Sequence, residues 1–203
     1  MPRTEEANQL IRESSRKKIL DAALRVYARK GKESTMAEVA AEAGVSQGLA
    51  YRYFPSKDAI FLALLRQMSR PPDEIHAMVQ NIPGTPAERL TRIVSGMVER
   101  RRKDPEFYQF FYRAMSDESL PSDIMEEMKT LGLLVHKILR QLIVEGQATG
   151  EIAKDNPDKL VRAVVACLDG LSRMAPLPSG QLENDMPDAG IILRMVSPNK
   201  GQE

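Results

Sequence analysis

Thr35-Met-Ala-Glu-Val-Ala-Ala-Glu-Ala-Gly-Val-Ser-Gln-Gly-Leu-Ala-Tyr-Arg-Tyr-Phe-Pro-Ser-Lys57-Asp-Ala-Ile-Phe61 is a run of helix starts and stops, and its punctuation decides the fold. Thr35 and Glu38 make a capping box, each side chain satisfying a free backbone N–H at the start of a helix that extends through Ala43. Gly44 suits the left-handed position that ends such a helix, and Ser46 caps the next one after a very short turn. That helix ends near Phe54, where Pro55 closes it. Ser56 caps a further helix with Ile60, Phe61, Leu64, Leu65 and Met68 as its apolar stripe, until Pro71-Pro72 stops it. Upstream, Ile19, Ala22, Ala23, Val26 and Tyr27 recur at helical spacing between a cap at Ser14 or Ser15 and a stop at Gly31.

The same punctuation continues to the far end of the chain. Asp73 to Gln80 reads as a short helix, and Thr85-Pro86-Ala87-Glu88 combines an N-cap, a proline at the first helical position and a capping-box glutamate. Leu90, Ile93, Val94, Met97 and Val98 follow as a buried stripe. Asp104-Pro105 starts a helix carrying the phenylalanines, Pro121 to Ala148 is the longest helix, and Gly150 lies near its end. Asn156-Pro157 opens a helix to about Met174, residues Pro176 to Met186 are loop-like, and Pro187 to Val196 is a short last helix bounded by Pro198. Strand patterns are nearly absent. The expected fold is all-α with about nine helices: a flexible N-terminus over 1–13, a three-helix helix-turn-helix domain with a linking fourth helix over 14–70, a helical domain over 71–198, and a flexible tail over 199–203.

Composition narrows the function classes. Of 203 residues, 42% are hydrophobic and 28% charged, ordinary for a soluble globular protein. No apolar run approaches the roughly 18 residues of a membrane span, and Met1 to Glu13 lacks the apolar core of a secretory signal, so a cytoplasmic protein without membrane contact is expected. Cys167 is the single cysteine and sits among Val164, Val165 and Leu168, as a small buried side chain does. His76 and His136 have no partners at metal-ligand spacing, and no Ser-His-Asp set or glycine-rich phosphate loop can be assembled. Neither an enzyme nor a cofactor is expected. Charge is uneven: residues 1–66 hold 12 Lys and Arg against 8 Asp and Glu, while the rest holds 17 against 20. The basic end is the one that could neutralise phosphates.

Two short helices joined by Gly44-Val45-Ser46 match the helix-turn-helix pattern, whose second helix enters the major groove of DNA. Val39, Ala40, Val45, Leu49 and Phe54 are spaced to bury against Ile19, Ala23 and Tyr27. Gln47, Gly48, Tyr51 and Arg52 are left outward. They offer an amide that can pair bidentately with adenine, a bare backbone for close approach and a ring for thymine methyl groups. Thr35 and Ser46, with the free N–H groups of the helix ends, add neutral phosphate contacts. Arg16 and Lys17, at the start of the first helix, are weaker phosphate candidates.

The stretch from Thr35 to Phe61 resembles the DNA-binding region of the TetR repressors from end to end. The likeness rests on Thr35 before the second helix, Ala43-Gly44-Val45-Ser46 at the turn, Tyr51-Arg52-Tyr53-Phe54 in the recognition helix, Ser56-Lys57-Asp58 at the start of the fourth, and Ile19, Leu20, Ala22 and Ala23 in the first. It implies that Tyr53 and Lys57 meet phosphates. Gly150-Glu151-Ile152 and Leu168-Asp169-Gly170-Leu171 look like the family's C-terminal domain, whose last helices form a dimer bundle. The helix from Pro157 is apolar almost all round, so it needs cover on more than one side. A homodimer through Val161, Val164, Val165, Leu168, Leu171, Ile191, Ile192 and Met195 is therefore expected. Met97, Phe107, Phe110, Phe111, Met115, Met128 and Leu131 either line an apolar pocket for an unidentified small-molecule effector, as the resemblance implies, or are plain core. Arg100-Arg101-Arg102-Lys103 reads as a solvated helix end favoured by the helix dipole. The expected function is a regulator, most simply a repressor, that binds a pseudopalindromic duplex operator as a dimer and is released by a small apolar effector. An effector-dependent activator of the same fold is the nearer alternative, an all-α enzyme or a helical adaptor the more distant ones.

Overall fold

Between Glu5 and Lys30 the sequence has neither proline nor glycine, and the first helix occupies that whole length. The computed structural model describes residues 5–68, 71–115, 120–173 and 186–198. Its helices are α1 (Glu5–Lys30), α2 (Met36–Glu42), α3 (Gln47–Tyr53), α4 (Lys57–Met68), α5 (Pro72–Gln80), α6 (Pro86–Lys103), α7 (Pro105–Met115), α8 (Ser122–Ala148), α9 (Pro157–Arg173) and α10 (Ala189–Leu193), with 3-10 turns at Gly31–Glu33 and Arg194–Val196. No strand occurs among the described residues, and no described helix is long and apolar enough to cross a membrane. The tail at 199–203, most of the loop-like stretch from Pro176 and the side chain of Met68 lie outside the described residues.

The start of α1 corrects the expectation of a flexible segment through Glu13, since Glu5–Glu13 is helical. Glu, Ala, Gln, Leu and Arg are strong helix formers, and two serines at 14 and 15 cost too little to interrupt them. Glu5 and Glu6 complement the dipole in the first turn, and the Gln9 amide donates to Glu13 one turn on.

The chain divides into two compact units. One holds α1 to α4 with Gln109–Glu126; the other holds α5, α6, the start of α7, the rest of α8, α9 and α10. In the first, Ile19, Leu20, Ala23, Val39, Ala40, Ala50 and Phe54 are buried. The Tyr27 hydroxyl donates to the Lys57 carbonyl at 3.3 Å, tying the end of α1 to the start of α4. Glu42 is gripped by Arg25 and Arg29, both at 2.8 Å, and Lys30 pairs with Glu38. These bonds hold both carboxyls below the usual carboxylate value, Glu42 through the two guanidinium groups and Glu38 chiefly through the Lys30 ammonium. Because their folded pKa values are depressed, they stabilise the fold above the ordinary carboxylate range and lose that contribution as pH falls through it. The melting temperature of Glu42→Gln should thus lie below that of the parent at pH 6, with the gap closing towards pH 3. A gap independent of pH would show that the ion pairs contribute nothing.

In the second unit, Leu90, Val94 and Val98 of α6 meet Leu139, Leu142 and Ile143 of α8 and Val161, Val164 and Leu168 of α9. Two of the helix starts read from the sequence are realised with their caps: Thr85 and Glu88 form a full capping box, and the Asn156 side chain accepts from the N–H groups of Asp158 and Lys159. The last helix starts at Ala189 rather than Pro187, because the Asp188 side chain caps it by accepting from Ile191 N. Gly150 takes φ +76° after α8, a left-handed turn that an L side chain would strain. The basic run at the end of α6 departs from the solvated face expected for it. Arg101 Nε donates to the Leu168 carbonyl at 2.9 Å and to Ser172 Oγ at 3.0 Å, and its guanidinium lies 4.4 Å from the Tyr108 ring centroid. Arg102 reaches the Met186 carbonyl at 3.3 Å. Arginine does this because its stem packs along apolar surface while its planar head satisfies several acceptors at once. Arg100 and Lys103 are exposed as expected.

Candidate nucleic-acid interface

The turn between α2 and α3 is built by three local devices. Thr35 Oγ1 accepts from Glu38 N at 3.2 Å while Glu38 accepts from Thr35 N at 3.0 Å, which fixes the start of α2. Gly44 sits at φ +65°, where the chain reverses into Val45. Ser46 Oγ then accepts from Leu49 N at 3.2 Å and starts α3. Ala50 is fully buried and Phe54 nearly so, which pins one side of α3 to the core.

The other side of α3 is open. Gln47, Gly48, Tyr51 and Arg52 are all exposed, Tyr51 to 47%, although a phenol ring gains by burial. A Cβ added at Gly48 would meet nothing within 4 Å, so its backbone is bare to the outside. Arg52, left outward by the spacing but given no role from sequence, belongs to this face. Thr35, Ser46, Lys57, Arg16 and Lys17 are exposed and Tyr53 is half-buried. Arg16 has a second task, since its guanidinium lies 5.2 Å from the Phe54 ring centroid. A groove beside it runs past Tyr53 and Pro55 to Arg66 of α4. A row of polar and cationic side chains on and around a short capped helix is what a base-reading surface needs, with phosphate contacts to hold it in register.

The residues expected to form an effector pocket are not gathered in one unit. Phe110 and Phe111 fall in the first, Met97, Phe107, Met128 and Leu131 in the second, and the side chain of Met115 is outside the described residues. Phe110 stacks with Tyr27 (5.9 Å between centroids) and tilts on Phe61 at 4.6 Å, so it is core of the first unit as well as a cavity wall. Met97 packs against the second unit's core, and Phe107 and Met128 are buried. The residues expected at a dimer interface also divide. Val161, Val164, Leu168, Leu171 and Ile192 face the chain's own core, whereas Val165 is half-buried and Ile191 and Met195 are 49% and 45% exposed. Val161, Val164, Leu168 and Leu171 form one helical stripe, and one stripe can be covered by one neighbour; here that neighbour is the chain itself.

A capped helix-turn-helix with an exposed reading face, followed by a second helical unit, defines a DNA-binding transcriptional regulator. The chain belongs to the TetR family: residues 19–64 match the model of bacterial regulatory proteins of the tetR family, and residues 83–173 match the tetracyclin repressor-like C-terminal domain. It is 27% identical over 157 residues to the HTH-type transcriptional regulator BetI of Rhizobium meliloti, covering 77% of this chain and 75% of that one. The HTH-type transcriptional repressor KstR of Rhodococcus jostii is 32% identical over 139 residues, 66% of this chain and 62% of that repressor. The crystal structure of the MbdR regulator from Azoarcus sp. CIB superposes with a TM-score of 0.72 at 26% identity, covering 88% of this chain and 97% of that one. The family is one of DNA-binding regulators, not of enzymes.

Proposed function

We propose that this regulator is a repressor that grips a pseudopalindromic operator as a homodimer and lets go when a small apolar effector binds. The observation that carries the reading is the outward face of α3, where Gln47, Gly48, Tyr51 and Arg52 stand exposed on a helix fixed by its cap and by Ala50 and Phe54. The relative named as a repressor supports the sign of regulation. Two recognition helices reach successive major grooves when they stand about 34–36 Å apart, so an effector that alters this spacing disengages both. It must favour the released shape by about 5.5 kcal/mol to swing the population from mostly bound to mostly free. The reading calls for an effector but no metal or organic cofactor.

Selection of duplexes from a random pool by the purified protein, followed by binding measurements on the winning sequence, tests the proposal; failure to enrich any sequence would sink it. On that operator, Gln47→Ala and Tyr51→Ala should each cost about 1–3 kcal/mol while leaving random-duplex affinity nearly unchanged, because they remove base contacts. Equal losses on both DNAs would refute base reading. Lys57→Ala should weaken binding on every sequence and flatten the slope of log affinity against log salt by roughly one unit, the mark of one lost phosphate contact. An unaltered slope removes Lys57 from the interface.

A further inference from the structure

Arg52 is the only charged side chain in α3, and it shares the exposed face of that helix with Gln47, Gly48 and Tyr51. Successive turns arrange the four in two rows along the helix, Gln47 with Tyr51 and Gly48 with Arg52. Between Ala43 and Lys57 the sequence holds no carboxylate that could engage the guanidinium. Of the acids that flank this stretch, Glu42 is gripped by Arg25 and Arg29, and Asp58 is half-buried near Tyr27. Among the described residues no hydrogen bond or ion pair holds Arg52. Gly48 is not explained by the fold. Its φ lies outside the left-handed region, and an added Cβ would stand in open space, so neither conformation nor packing requires glycine. Glycine inside a helix nonetheless weakens it relative to alanine. A bare position here gains its use from what approaches α3 from outside. Side chains on an α-helix lean towards its N-terminus, so Arg52 leans along its own row towards Gly48, about 6 Å earlier on the axis. A larger residue at 48 would fill that row; glycine leaves it open to the guanidinium.

We propose that Arg52 reads a guanine in the major groove, its guanidinium passing over Gly48 to pair with O6 and N7 of the base. The inference rests on the reading of α3 as the recognition helix and adds a specificity-determining residue to it. Guanine offers two acceptors side by side on its major-groove edge, and the planar fork of a guanidinium matches them. The neighbouring row answers a different base pair, since Gln47 carries an amide for adenine and Tyr51 a ring for a thymine methyl. Two adjacent rows of different chemistry predict a half-site in which a guanine stands close to an A·T pair. The same guanidinium set on a phosphate would carry no sequence information, which is what separates the two tasks by experiment.

The test uses the full chain and a duplex that the parent protein enriches from a random pool. Each guanine of its half-site is replaced in turn by 7-deazaguanine, which loses the N7 acceptor and keeps the Watson–Crick edge. One such replacement should weaken parent binding several-fold, and the same replacement should leave the binding of Arg52→Ala unaltered. Arg52→Ala itself should lose about tenfold or more on the enriched duplex and less than about twofold on random duplex. Gly48→Leu, which blocks the row, should remove the 7-deazaguanine penalty too. Its melting temperature should be no lower than the parent's, because position 48 is open and leucine is the better helix former. A penalty that survives Arg52→Ala, or a half-site in which no guanine carries one, overturns the assignment. Equal losses for Arg52→Ala on enriched and random duplex, with the salt slope flattened by about one unit, overturn it in favour of a phosphate contact. A full penalty in Gly48→Leu overturns the role given to Gly48. A parent protein that enriches no sequence sinks the reading of α3 itself and this assignment with it, whereas enrichment of the same sequence by Arg52→Ala sinks this assignment alone.

Discussion

Leu168→Glu should strongly destabilise the second unit. Leu168 is only 2% exposed and packs in the cluster that joins α6, α8 and α9. Removing a buried leucine side chain costs about 2–5 kcal/mol before any charge is added. A carboxylate in its place has to be buried without a partner or take up a proton, and either adds to the loss. Since a domain has roughly 5–15 kcal/mol in hand, the sum consumes most of it. The variant should bind an apolar dye in buffer and show a much lower urea midpoint, with operator binding lost as a by-product. Val165→Glu on the same helix should cost far less, because Val165 is half-buried. A Leu168→Glu midpoint equal to the parent's would mean that Leu168 faces outward after all.

What the sequence disclosed and what it hid follow from the range of the interactions involved. Caps, glycine turns and proline stops act within four residues, so Thr35 with Glu38, Gly44, Ser46, Thr85 with Glu88 and Asn156 could all be recognised from residue type and spacing. The reading face of α3 was legible for the same reason, since a seven-residue helix with its core side assigned leaves few residues outward. Arg101 was not, because its acceptors at Leu168 and Ser172 lie 67 and 71 residues away and nothing near it marks a buried cation. Periodicity showed that α9 is apolar on several sides, yet it cannot say whether its own chain or a second copy covers each side. The early start of α1 is hidden because Ser14 and Ser15 suit a cap as well as a helix interior, and only the good helix formers on either side of them, Arg12, Glu13, Arg16 and Lys17, tip the balance to the interior. Phe110 illustrates a further limit: its spacing marked it as buried, while its partners Tyr27 and Phe61 come from a different part of the sequence.

Ala166→Glu should leave each chain folded and split the proposed dimer. Arg162, Ala166 and Gly170 follow one another at i, i+4 and i+8 on α9, all three exposed, and a Cβ added at Gly170 meets nothing within 4 Å. This is the side of α9 that its own core leaves uncovered, and its small residues would let another helix approach closely. Ile191 and Met195, apolar and about half exposed, are the other positions from the expected interface that remain available to a partner. A glutamate at 166 is harmless on a solvated monomer surface, where such changes stay within about 0.5 kcal/mol. Between two closely packed subunits the longer side chain blocks the approach and its carboxylate loses water, and Arg162 one turn earlier offsets only part of a cost of several kcal/mol. Sedimentation should therefore show a shift to monomer at micromolar concentration while the urea midpoint of the monomer's own fold holds. Because the dimer holds its second reading unit beside the second half-site once the first is bound, losing the dimer removes an avidity of about 100-fold or more. Operator affinity should fall by that factor, and affinity for a single half-site should not. If Ala166→Glu and Ile191→Glu both remain dimeric with parent-like operator binding, the subunits meet through some other surface and α9 serves its own domain alone.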